Sequence, residues 1–346
     1  MSGTSGQRHP RVSIIVPAYN AAGFLAASID ELLGQTLTDI EIVVVDDGSA
    51  DATAEVAHRA AQAHPRVRFV RLAENGGVAL ARERAVHESR GEFLWFVDAD
   101  DERAPDALEK LVAAAEATGA DVVICSAEYV YDAGRTRPIP APRLAAPVSG
   151  ADAFHLLLDG AITGHLWNKL FRREHALRIT YPPARVHSDL AMVAQLLAGA
   201  EVVAAIPDML YSYRLRSGSI IRSGTRRAES LLLVEHRVEQ AALSLDPALP
   251  GSADYRYFVL RYIVLSGVKD ALTGPYDADQ TAALVRRLRA RLTWGAILLT
   301  ARRRDWKRLA LALSAKLSLR AHRALLGAAS ERLISPGQGA RVGVKP

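Results

Sequence analysis

Apolar and polar positions form two alternating kinds of pattern along the first 130 residues of the chain. Short runs rich in Val, Ile and aromatic residues are separated by stretches in which apolar side chains recur at helical spacing. Strands with few polar interruptions are typical of a sheet that helices cover on both faces. The pattern therefore predicts an α/β fold with a doubly wound, mostly parallel sheet. Its first four strands are predicted at Val12–Val16, Ile40–Val45, Val67–Leu72 and Glu92–Val97.

The pattern is less regular beyond residue 130, and after Thr225 it is helical, with a break near Asp246–Gly251. Between these regions we predict strands at Asp121–Tyr131, Val202–Ile206 and Leu210–Tyr213, helices at Ala151–Asp159, Leu166–Arg173 and Asp189–Leu197, and a proline-containing loop at Arg135–Pro147. We expect four segments in the chain. They are a disordered N-terminal arm at 1–10, an α/β domain at 11–222, a helical basic C-terminal region at 223–334 and a disordered tail at 335–346.

Charge and cysteine content narrow the class of protein. The single cysteine, Cys125, excludes an internal disulfide, and its apolar neighbours predict a core strand residue. The net charge of +5 arises in the C-terminal region, where residues 283–330 contain twelve Lys or Arg and one acidic residue, Asp305. No apolar run approaches the roughly 18 residues that a spanning helix needs, and the N-terminus lacks an apolar signal segment. We therefore expect a cytoplasmic protein.

The basic C-terminal helices allow two interpretations. They form a surface that rests on anionic lipid at the inner face of the cytoplasmic membrane, or they are solvated helices that pack on the catalytic domain. No nucleic-acid-binding motif accompanies the charge, so we do not expect a nucleic-acid partner.

Polar side chains follow the predicted strands at their carboxyl ends, where ligands bind in doubly wound sheets. The segments are Tyr19-Asn20, Asp46–Ser49, Asn75–Gly77 and Asp98–Asp101. Asp98 and Asp100 point to the same side of an extended segment, and carboxylate oxygens suit Mg²⁺ or Mn²⁺. An alternative is that these carboxylates cap a helix that starts near Asp101. Their position after a buried strand favours the metal site.

Four segments at this edge resemble the motifs of the family 2 glycosyltransferases, which have the GT-A fold. They are residues 12–20, 42–49, 75–82 and 91–101, and the resemblance weakens between residue 130 and about 222. It implies a nucleotide-diphosphate sugar donor, with UDP-sugar favoured, a hydroxyl acceptor and a Mn²⁺ or Mg²⁺ cofactor. It also implies a nucleotide-sugar-binding half at 11–130 and an acceptor-binding half at 131–222.

The same resemblance implies roles for individual residues. Pro17 and Tyr19 would line the base and ribose, with Tyr19 stacking, Asn20 would also contact the donor, and Asp47 would accept a hydrogen bond from the base. The remaining donor contacts would come from Arg82, on the phosphates or sugar, and from Asp98 and Ala99, with Asp98 and Asp100 as metal ligands. Two alternatives stay open: Tyr19 packs as an ordinary strand-end residue, and Arg82 forms a salt bridge to Asp98.

In the second half, Asp189 matches the position of the catalytic base, although Ser188 replaces the acidic residue that usually precedes it. Asp189 could instead pair with Arg185 or cap the following helix, and His187 is a weaker candidate for the base. Further downstream, Arg214 or Arg216 with Ser219 would close over the diphosphate; solvated arginines are the alternative. We expect Lys169 to be solvated rather than to position an acceptor.

These residues together predict an inverting transfer to an acceptor hydroxyl, with Asp189 as the base and a metal on Asp100. Cell-envelope polysaccharides, glycolipids and secondary metabolites are all suitable acceptors. Two alternatives remain at this point: a nucleotidyltransferase on the same fold, and a non-catalytic protein that binds nucleotide sugars.

Overall fold

The computed structural model describes residues 9–131, 134–184, 186–215 and 226–334. The chain divides into two compact units, the first ending at Tyr255 and the second starting at Arg256. The α/β architecture and the helical C-terminal region predicted from the sequence are confirmed. Most of the predicted N-terminal arm, residues 1–8, and the predicted tail at 335–346 lie outside the described residues.

The first half of the first unit alternates strands and helices as predicted. The elements are β1 (Val12–Ala18), α1 (Leu25–Leu33), β2 (Ile40–Asp46), α2 (Thr53–Ala63), β3 (Val67–Arg71), α3 (Val78–Glu88) and β4 (Phe93–Phe96). Strand β1 pairs in parallel with β2 and β4, and β2 pairs in parallel with β3. Every residue of β2 and β4 is buried, because helices cover both faces of this part of the sheet.

The second half extends this sheet with strands of both directions. The elements are β5 (Glu102–Arg103), α4 (Ala107–Thr118), β6 (Val122–Tyr131), β7 (Thr136–Ile139), α5 (Gly150–Asp159), β8 (Lys169–Arg172), α6 (Arg173–Ala176), α7 (Ser188–Ala198) and β9 (Val203–Leu215). Strand β8 lies antiparallel between β4 and β6, and β9 is parallel to β6. Among the described residues the sheet has nine strands in the order β3-β2-β1-β4-β8-β6-β9-β5, with β7 paired to β6.

Three secondary-structure predictions need correction. The helix predicted at Leu166–Arg173 is wrong, because this segment contains β8, whose backbone fills the space between β4 and β6. The loop predicted at Arg135–Pro147 contains β7. The two short strands predicted after residue 202 are one strand, β9. Its pairing with β6 shifts register twice between Ile206 and Tyr211, and the first shift spans Pro207, which has no amide hydrogen for the ladder.

The remaining elements are helical, as the pattern beyond Thr225 predicted. They are α8 (Arg227–Leu245), a 3₁₀ turn (Leu249–Gly251), α9 (Ala253–Phe258), a π-helical segment (Val259–Val264), α10 (Leu265–Thr273), α11 (Ala278–Ala290), α12 (Trp294–Arg302), α13 (Trp306–Leu317) and α14 (Leu319–Ile334). In the second unit, apolar residues of the helices from α10 to α13 pack into a core of their own. Across the described ranges, none of the helices is both long and apolar enough to cross a membrane.

Candidate functional site

The carboxylate of Asp47, directly after β2, holds the loop that follows β3. Its Oδ1 accepts a hydrogen bond from the Gly76 amide at 2.8 Å, and its Oδ2 accepts one from the Gly77 amide at 2.9 Å. A Cβ on Gly48, whose φ is +67°, would lie 2.7 Å from the Asn75 nitrogen, so only glycine permits this approach. Burial raises the pKa of Asp47, and the two amides oppose that shift. The predicted donor contact of Asp47 would therefore use the lone pairs that these amides leave.

Asn20 joins the loops after β1 and β2. The backbone nitrogen of Asn20 donates to Ser49 Oγ at 2.9 Å, and its side-chain Oδ1 accepts from the backbone nitrogen of Ala50 at 3.1 Å. Its φ of 49° lies in the left-handed region, which asparagine tolerates better than most residues. Tyr19 is 53% exposed and does not pack into the core, and Pro17 is half-buried at the end of β1. Tyr19 therefore directly follows Ala18, whose carbonyl oxygen accepts a hydrogen bond from the Asp47 amide, and it precedes the turn that Asn20 fixes.

A turn after β4 contains Asp98, Ala99, Asp100 and Asp101, and Tyr211 of β9 fixes it. The Tyr211 hydroxyl accepts a hydrogen bond from the Asp98 amide at 3.1 Å and donates one to Asp101 Oδ2 at 2.7 Å. Arg103 donates to the carbonyl oxygens of Asp101 at 2.9 Å and of Asp98 at 3.4 Å. The turn is thus held from both sides by buried side chains, and Ala99 at its centre is 8% exposed.

The helix-cap alternative for this turn is wrong. Helix α4 begins only at Ala107, after β5, and its N-cap position is occupied by Asp106. The Asp101 carboxylate instead accepts hydrogen bonds from Tyr211 and from the Arg214 amide, the latter at 2.9 Å. Burial raises the pKa of Asp101 well above its usual range, and the charge of Asp98 raises it further.

Arg82 of α3 connects this turn to α7. Its guanidinium donates to Asp189 Oδ1 at 2.5 Å and to Asp98 Oδ1 at 3.3 Å. Arg82 is 3% exposed. Burial by itself would lower the pKa of Arg82, but the charges of Asp189 and Asp98 outweigh it and raise the pKa. The salt bridge to Asp98 that the sequence left as an alternative therefore exists, together with a shorter one to Asp189.

Asp189 lies in the first turn of α7 and makes no capping bond there, since the N-cap residue is His187, with a φ of 63°. Its side chain keeps 26% of its surface exposed despite the pairing with Arg82. Ser188, which replaces the usual acidic residue, is buried, and its hydroxyl is 3.5 Å from Asp189 Oδ1. The proposed pairing partner Arg185 lies outside the described residues.

The turn after β4 has the donor set of a hard divalent cation. Burial raises the pKa of Asp98 to about 6; the negative charges of Asp189 and Asp100 add to the shift, and Arg82 opposes it. The side chain of Asp98 is still 30% exposed, and Asp100 is half-buried. In the part of the chain that the structure describes, no three His, Cys, Asp or Glu side chains cluster as a complete metal site. Asp98 and Asp100 fit a cation that takes its other ligands from phosphate oxygens and water.

The predicted closing segment is described only in part. Arg214 donates through its amide to Asp101, and its guanidinium pairs with Glu102, with 41% of the side chain exposed. Arg216 and Ser219, predicted to join it over the diphosphate, lie outside the described residues.

The prediction that Lys169 is solvated is wrong. Lys169 has no exposed surface, and its Nζ donates to the carbonyl oxygens of Thr163 at 2.9 Å and His165 at 2.7 Å and to Asn168 Oδ1 at 2.8 Å. Burial lowers the pKa of Lys169 to about 7. Lys169 thus holds the segment between Thr163 and His165 in place beneath the site.

Sequence reasoning missed Tyr211, Arg103 and Lys169 as supports of the site. All three are buried polar residues whose partners lie elsewhere in the fold. The sequence offered one signal for Tyr211, a tyrosine within a buried strand, and one for Arg103, an arginine directly after an acidic cluster. In both cases the partner became visible only in the structure.

The sequence of the chain is similar to those of known glycosyltransferases. Residues 13–179 match the model of Glycosyl transferase family 2. The putative glycosyltransferase EpsH of Bacillus subtilis is 29% identical over 265 residues, which are 74% of this chain and 75% of that protein. The succinoglycan biosynthesis protein ExoO of Rhizobium meliloti is 32% identical over 229 residues, 62% of this chain and 63% of that protein.

Solved structures resemble the whole fold. S. aureus TarS 1–349 in complex with UDP-GlcNAc has a TM-score of 0.66 and 19% identity, with 93% of this chain and 92% of that chain covered. The mannosyltransferase PcManGT from Pyrobaculum calidifontis, in complex with GDP-Man and Mn²⁺, has a TM-score of 0.55 and 22% identity, with 94% and 88% covered. The GT-A fold expected from the sequence is confirmed.

Proposed function

We propose that the protein is a glycosyltransferase that moves a sugar from a UDP-sugar to an acceptor hydroxyl with inversion at the anomeric carbon. The match of residues 13–179 to the model of Glycosyl transferase family 2 supports this proposal. One observation carries this proposal. Arg82 joins Asp98 of the strand-end turn and Asp189 of α7 in one hydrogen-bonded network. An acidic turn, an arginine side chain and a candidate base thus meet at the carboxyl edge of the sheet, where a donor's reacting bond would lie.

The donor half of the proposal rests on the loops after β1, β2 and β3. The exposed ring of Tyr19 offers a face for the base, and Asp47 has lone pairs for its polar edge. TarS has been solved with UDP-GlcNAc and with UDP, and PcManGT with GDP-Man. These complexes support a nucleotide-diphosphate sugar as the donor of this protein as well.

The chemical step rests on Asp189. Its carboxylate takes the proton of the acceptor hydroxyl while that oxygen bonds to the anomeric carbon and the bond to the nucleotide diphosphate breaks. A positioned base of this kind is worth roughly a hundred- to ten-thousand-fold in rate. Arg82 is close enough to the turn to neutralise charge on the departing diphosphate, because guanidinium groups match phosphate oxygens.

Asp98 and Asp100 would hold a Mn²⁺ or Mg²⁺ ion. When bound, the cation would neutralise negative charge on the leaving group. Arg82 pairs with two carboxylates, Asp98 and Asp189, and the negative charge of Asp100 also acts on Asp98, so the site has an excess of negative charge that favours such a cation.

The cellular role that we propose is glycosylation in cell-envelope polysaccharide or glycolipid synthesis, which the similarity to ExoO supports. The second unit adds a candidate membrane surface. Trp294 of α12 and Trp306 and Leu317 of α13 are 60%, 64% and 67% exposed. Trp306 and Leu317 share a face of α13, about three turns apart. Exposed basic residues on α13 and α14, Lys307 and Arg320, complement an anionic lipid surface.

The membrane contact can be tested by flotation with vesicles of phosphatidylglycerol and phosphatidylcholine. We expect the full chain to float with the anionic vesicles only, and the Trp294→Ser/Trp306→Ser double variant to remain in the soluble fraction. Equal flotation of both proteins would rule out this surface.

The transferase proposal is tested by nucleotide release from UDP-, GDP- and TDP-sugars, with Mn²⁺ and then with a chelator. We expect one UDP-sugar to be turned over, and turnover to stop with chelator and in Asp100→Ala. Release that persists in both conditions would contradict the metal assignment. Metal-dependent donor binding by calorimetry, with no turnover of any donor, would instead indicate a non-catalytic binding protein.

A further inference from the structure

Five aromatic side chains form one continuous group at the edge of the site. Trp167 stacks with His165, with ring centres 4.5 Å apart, and with Tyr211 at 4.8 Å and Tyr213 at 5.5 Å. Tyr129 meets His165 and Tyr213 edge-on at 6.0 and 5.7 Å. We call this group, Tyr129, His165, Trp167, Tyr211 and Tyr213, the aromatic wall. The proposed transfer reaction assigns no role to its rings.

The wall is joined to the catalytic residues at two points. The Tyr211 hydroxyl bonds to the turn that contains Asp98. At the other end, Gly164 lies against Leu190 of α7, so that a Cβ on Gly164 would be 3.0 Å from the Leu190 Cα. Leu190 follows Asp189 directly, and His165 follows Gly164. The wall therefore begins at the strand-end turn, and the segment that carries His165 packs against the first turn of α7, which contains the proposed base.

Part of the wall is accessible. Trp167 and Tyr211 are buried at 3% and 1% exposure and act as its foundation, whereas Tyr129, His165 and Tyr213 are half-buried. Burial raises the pKa of Tyr213, and the charges of Asp98, Asp101, Asp100 and Asp189 add to that shift in decreasing order. This electrostatic influence agrees with the hydrogen bonds that join the wall to the strand-end turn.

Two polar atoms of the segment that Lys169 holds have no hydrogen-bond partner within the described ranges. They are Thr163 Oγ1 and His165 Nδ1, and both are buried. Buried polar atoms without partners are rare in folded proteins, because each one costs stability. Hydroxyl groups or waters that enter with a substrate would give these atoms the partners that they lack.

The chemistry of the wall matches one class of acceptor. A pyranose ring has an apolar face of C–H groups that packs on aromatic rings, and hydroxyl groups around its rim that need polar partners. Ligand sites combine these features in the same way, with aromatic side chains and a few polar atoms that fix the orientation. Arg137, which is exposed and lies 4.8 Å over the Tyr129 ring, adds donors at the outer end of the wall.

We propose that the aromatic wall is the acceptor subsite and that the acceptor is a carbohydrate, whose sugar ring packs against Tyr129, His165 and Tyr213 with a hydroxyl directed to Asp189. This assignment rests on the proposed transferase function. It names the substrate class of the acceptor and three residues that determine specificity for it.

The test separates donor chemistry from acceptor binding. Hydrolysis of the UDP-sugar, in which water replaces the acceptor, reports the proposed function, and transfer to a panel of methyl pyranosides and short oligosaccharides reports the subsite. An aromatic contact is worth about 0.5–1.5 kcal/mol, so we expect Tyr129→Leu to raise the acceptor KM roughly two- to tenfold. Hydrolysis in this variant should stay close to the wild-type rate, because Tyr129 contacts His165, Tyr213 and Arg137, to which the donor reaction assigns no role.

Tyr131→Leu is the matched control. Tyr131 lies two residues further along β6, is also half-buried, and has Arg135 over its ring at 4.9 Å, but it does not belong to the wall. Its acceptor KM should stay at the wild-type value. Equal effects of the two substitutions, or a loss of hydrolysis and transfer in parallel in Tyr129→Leu, would overturn the assignment.

Two further outcomes are distinct. Donor hydrolysis by the wild type without transfer to any sugar in the panel would overturn the carbohydrate assignment and leave the transferase proposal intact. Absence of any donor turnover would count against the transferase proposal itself. In that case, saturation-transfer NMR with methyl pyranosides and the UDP-loaded protein still decides the subsite: signals that Tyr129→Leu weakens support it, and unchanged signals overturn it.

Discussion

The guanidinium of Arg82 donates a hydrogen bond of 2.5 Å to Asp189, the residue to which we assign the role of catalytic base. The two residues come from helices α3 and α7 and are 107 positions apart in the chain. The same guanidinium also donates to Asp98 of the strand-end turn. A diphosphate bound at that turn would compete for the guanidinium. Donor binding would thereby free Asp189 Oδ1 to accept a hydrogen bond from the acceptor hydroxyl.

We expect Asp189→Asn to reduce turnover by about a hundred- to ten-thousand-fold, because it removes the proton acceptor and keeps the shape of the side chain. Donor affinity, measured by calorimetry with UDP, should change little. Asp254→Asn, at an acidic residue outside the site, is the control and should leave turnover unchanged. If Asp189→Asn kept most of the wild-type turnover, another group would have to be the base.

The loss of Arg82 should lower the free energy of unfolding of the protein. Arg82→Met leaves two carboxylates, Asp98 and Asp189, without their shared cation. Removal of one partner of a buried ion pair costs about 3–5 kcal/mol, and the partial exposure of both carboxylates places our expectation at the lower end. Urea unfolding of the metal-free protein measures the loss.

A double-mutant cycle isolates the pair with Asp189. The double variant Arg82→Met/Asp189→Asn should be less destabilised than the sum of the single variants, because it leaves one uncompensated carboxylate instead of two. Strict additivity would mean that the 2.5 Å contact contributes nothing to stability.

Tyr211→Phe removes a hydroxyl that serves both ends of the strand-end turn. The Asp98 amide and Asp101 Oδ2 each lose a buried partner, at a cost of about 1–3 kcal/mol for each unsatisfied group. Because the turn carries Asp98 and Asp100, to which we assign the metal, we also expect weaker Mn²⁺-dependent binding of UDP. Tyr276→Phe is the matched control, since it breaks an equal 2.7 Å bond to Asp270 in the second unit. A similar loss of UDP affinity in both variants would contradict the role of Tyr211.

Lys169 should give the stability of the protein a dependence on pH. Its pKa is lowered by burial to about 7 in the folded chain, against an ordinary value of 10.5. The unfolded chain therefore binds more protons between these two values, and the free energy of unfolding should rise with pH from about 7 towards 10. In Lys169→Met this rise should be absent. Parallel curves of unfolding free energy against pH for the two proteins would show that Lys169 keeps its ordinary pKa.

The sequence predicted β1 to β4 correctly because their apolar runs are continuous and are bounded by turn residues. It failed at β8, where Leu170 and Phe171 are too few to distinguish a helix from a strand, and where pairing with β4 and β6 decides the structure. The strand-end carboxylates were predictable from their position in the pattern. The resemblance to a family added Arg82 and Asp189, and the structure then placed these two side chains in contact.

The residues that support the site could not be predicted from the sequence, for a physical reason. The role of Tyr211 depends on two atoms about 110 residues away in the chain, and no periodic pattern links positions so distant. Lys169 is a similar case: a lysine is usually exposed, and only the carbonyl oxygens that the fold collects around its Nζ make its burial tolerable.

The burial of Cys125 makes the protein a convenient background for spectroscopic labelling. It is the only cysteine of the chain, has no exposed surface, and has a pKa raised by burial to about 12. Maleimides and iodoacetamides react with thiolates, so the native protein should take up no label at pH 7. The variant Ala50→Cys, at an exposed residue whose backbone amide bonds to Asn20, would then carry the only label. Its emission would follow nucleotide arrival and departure in real time without removal of any native residue from the core.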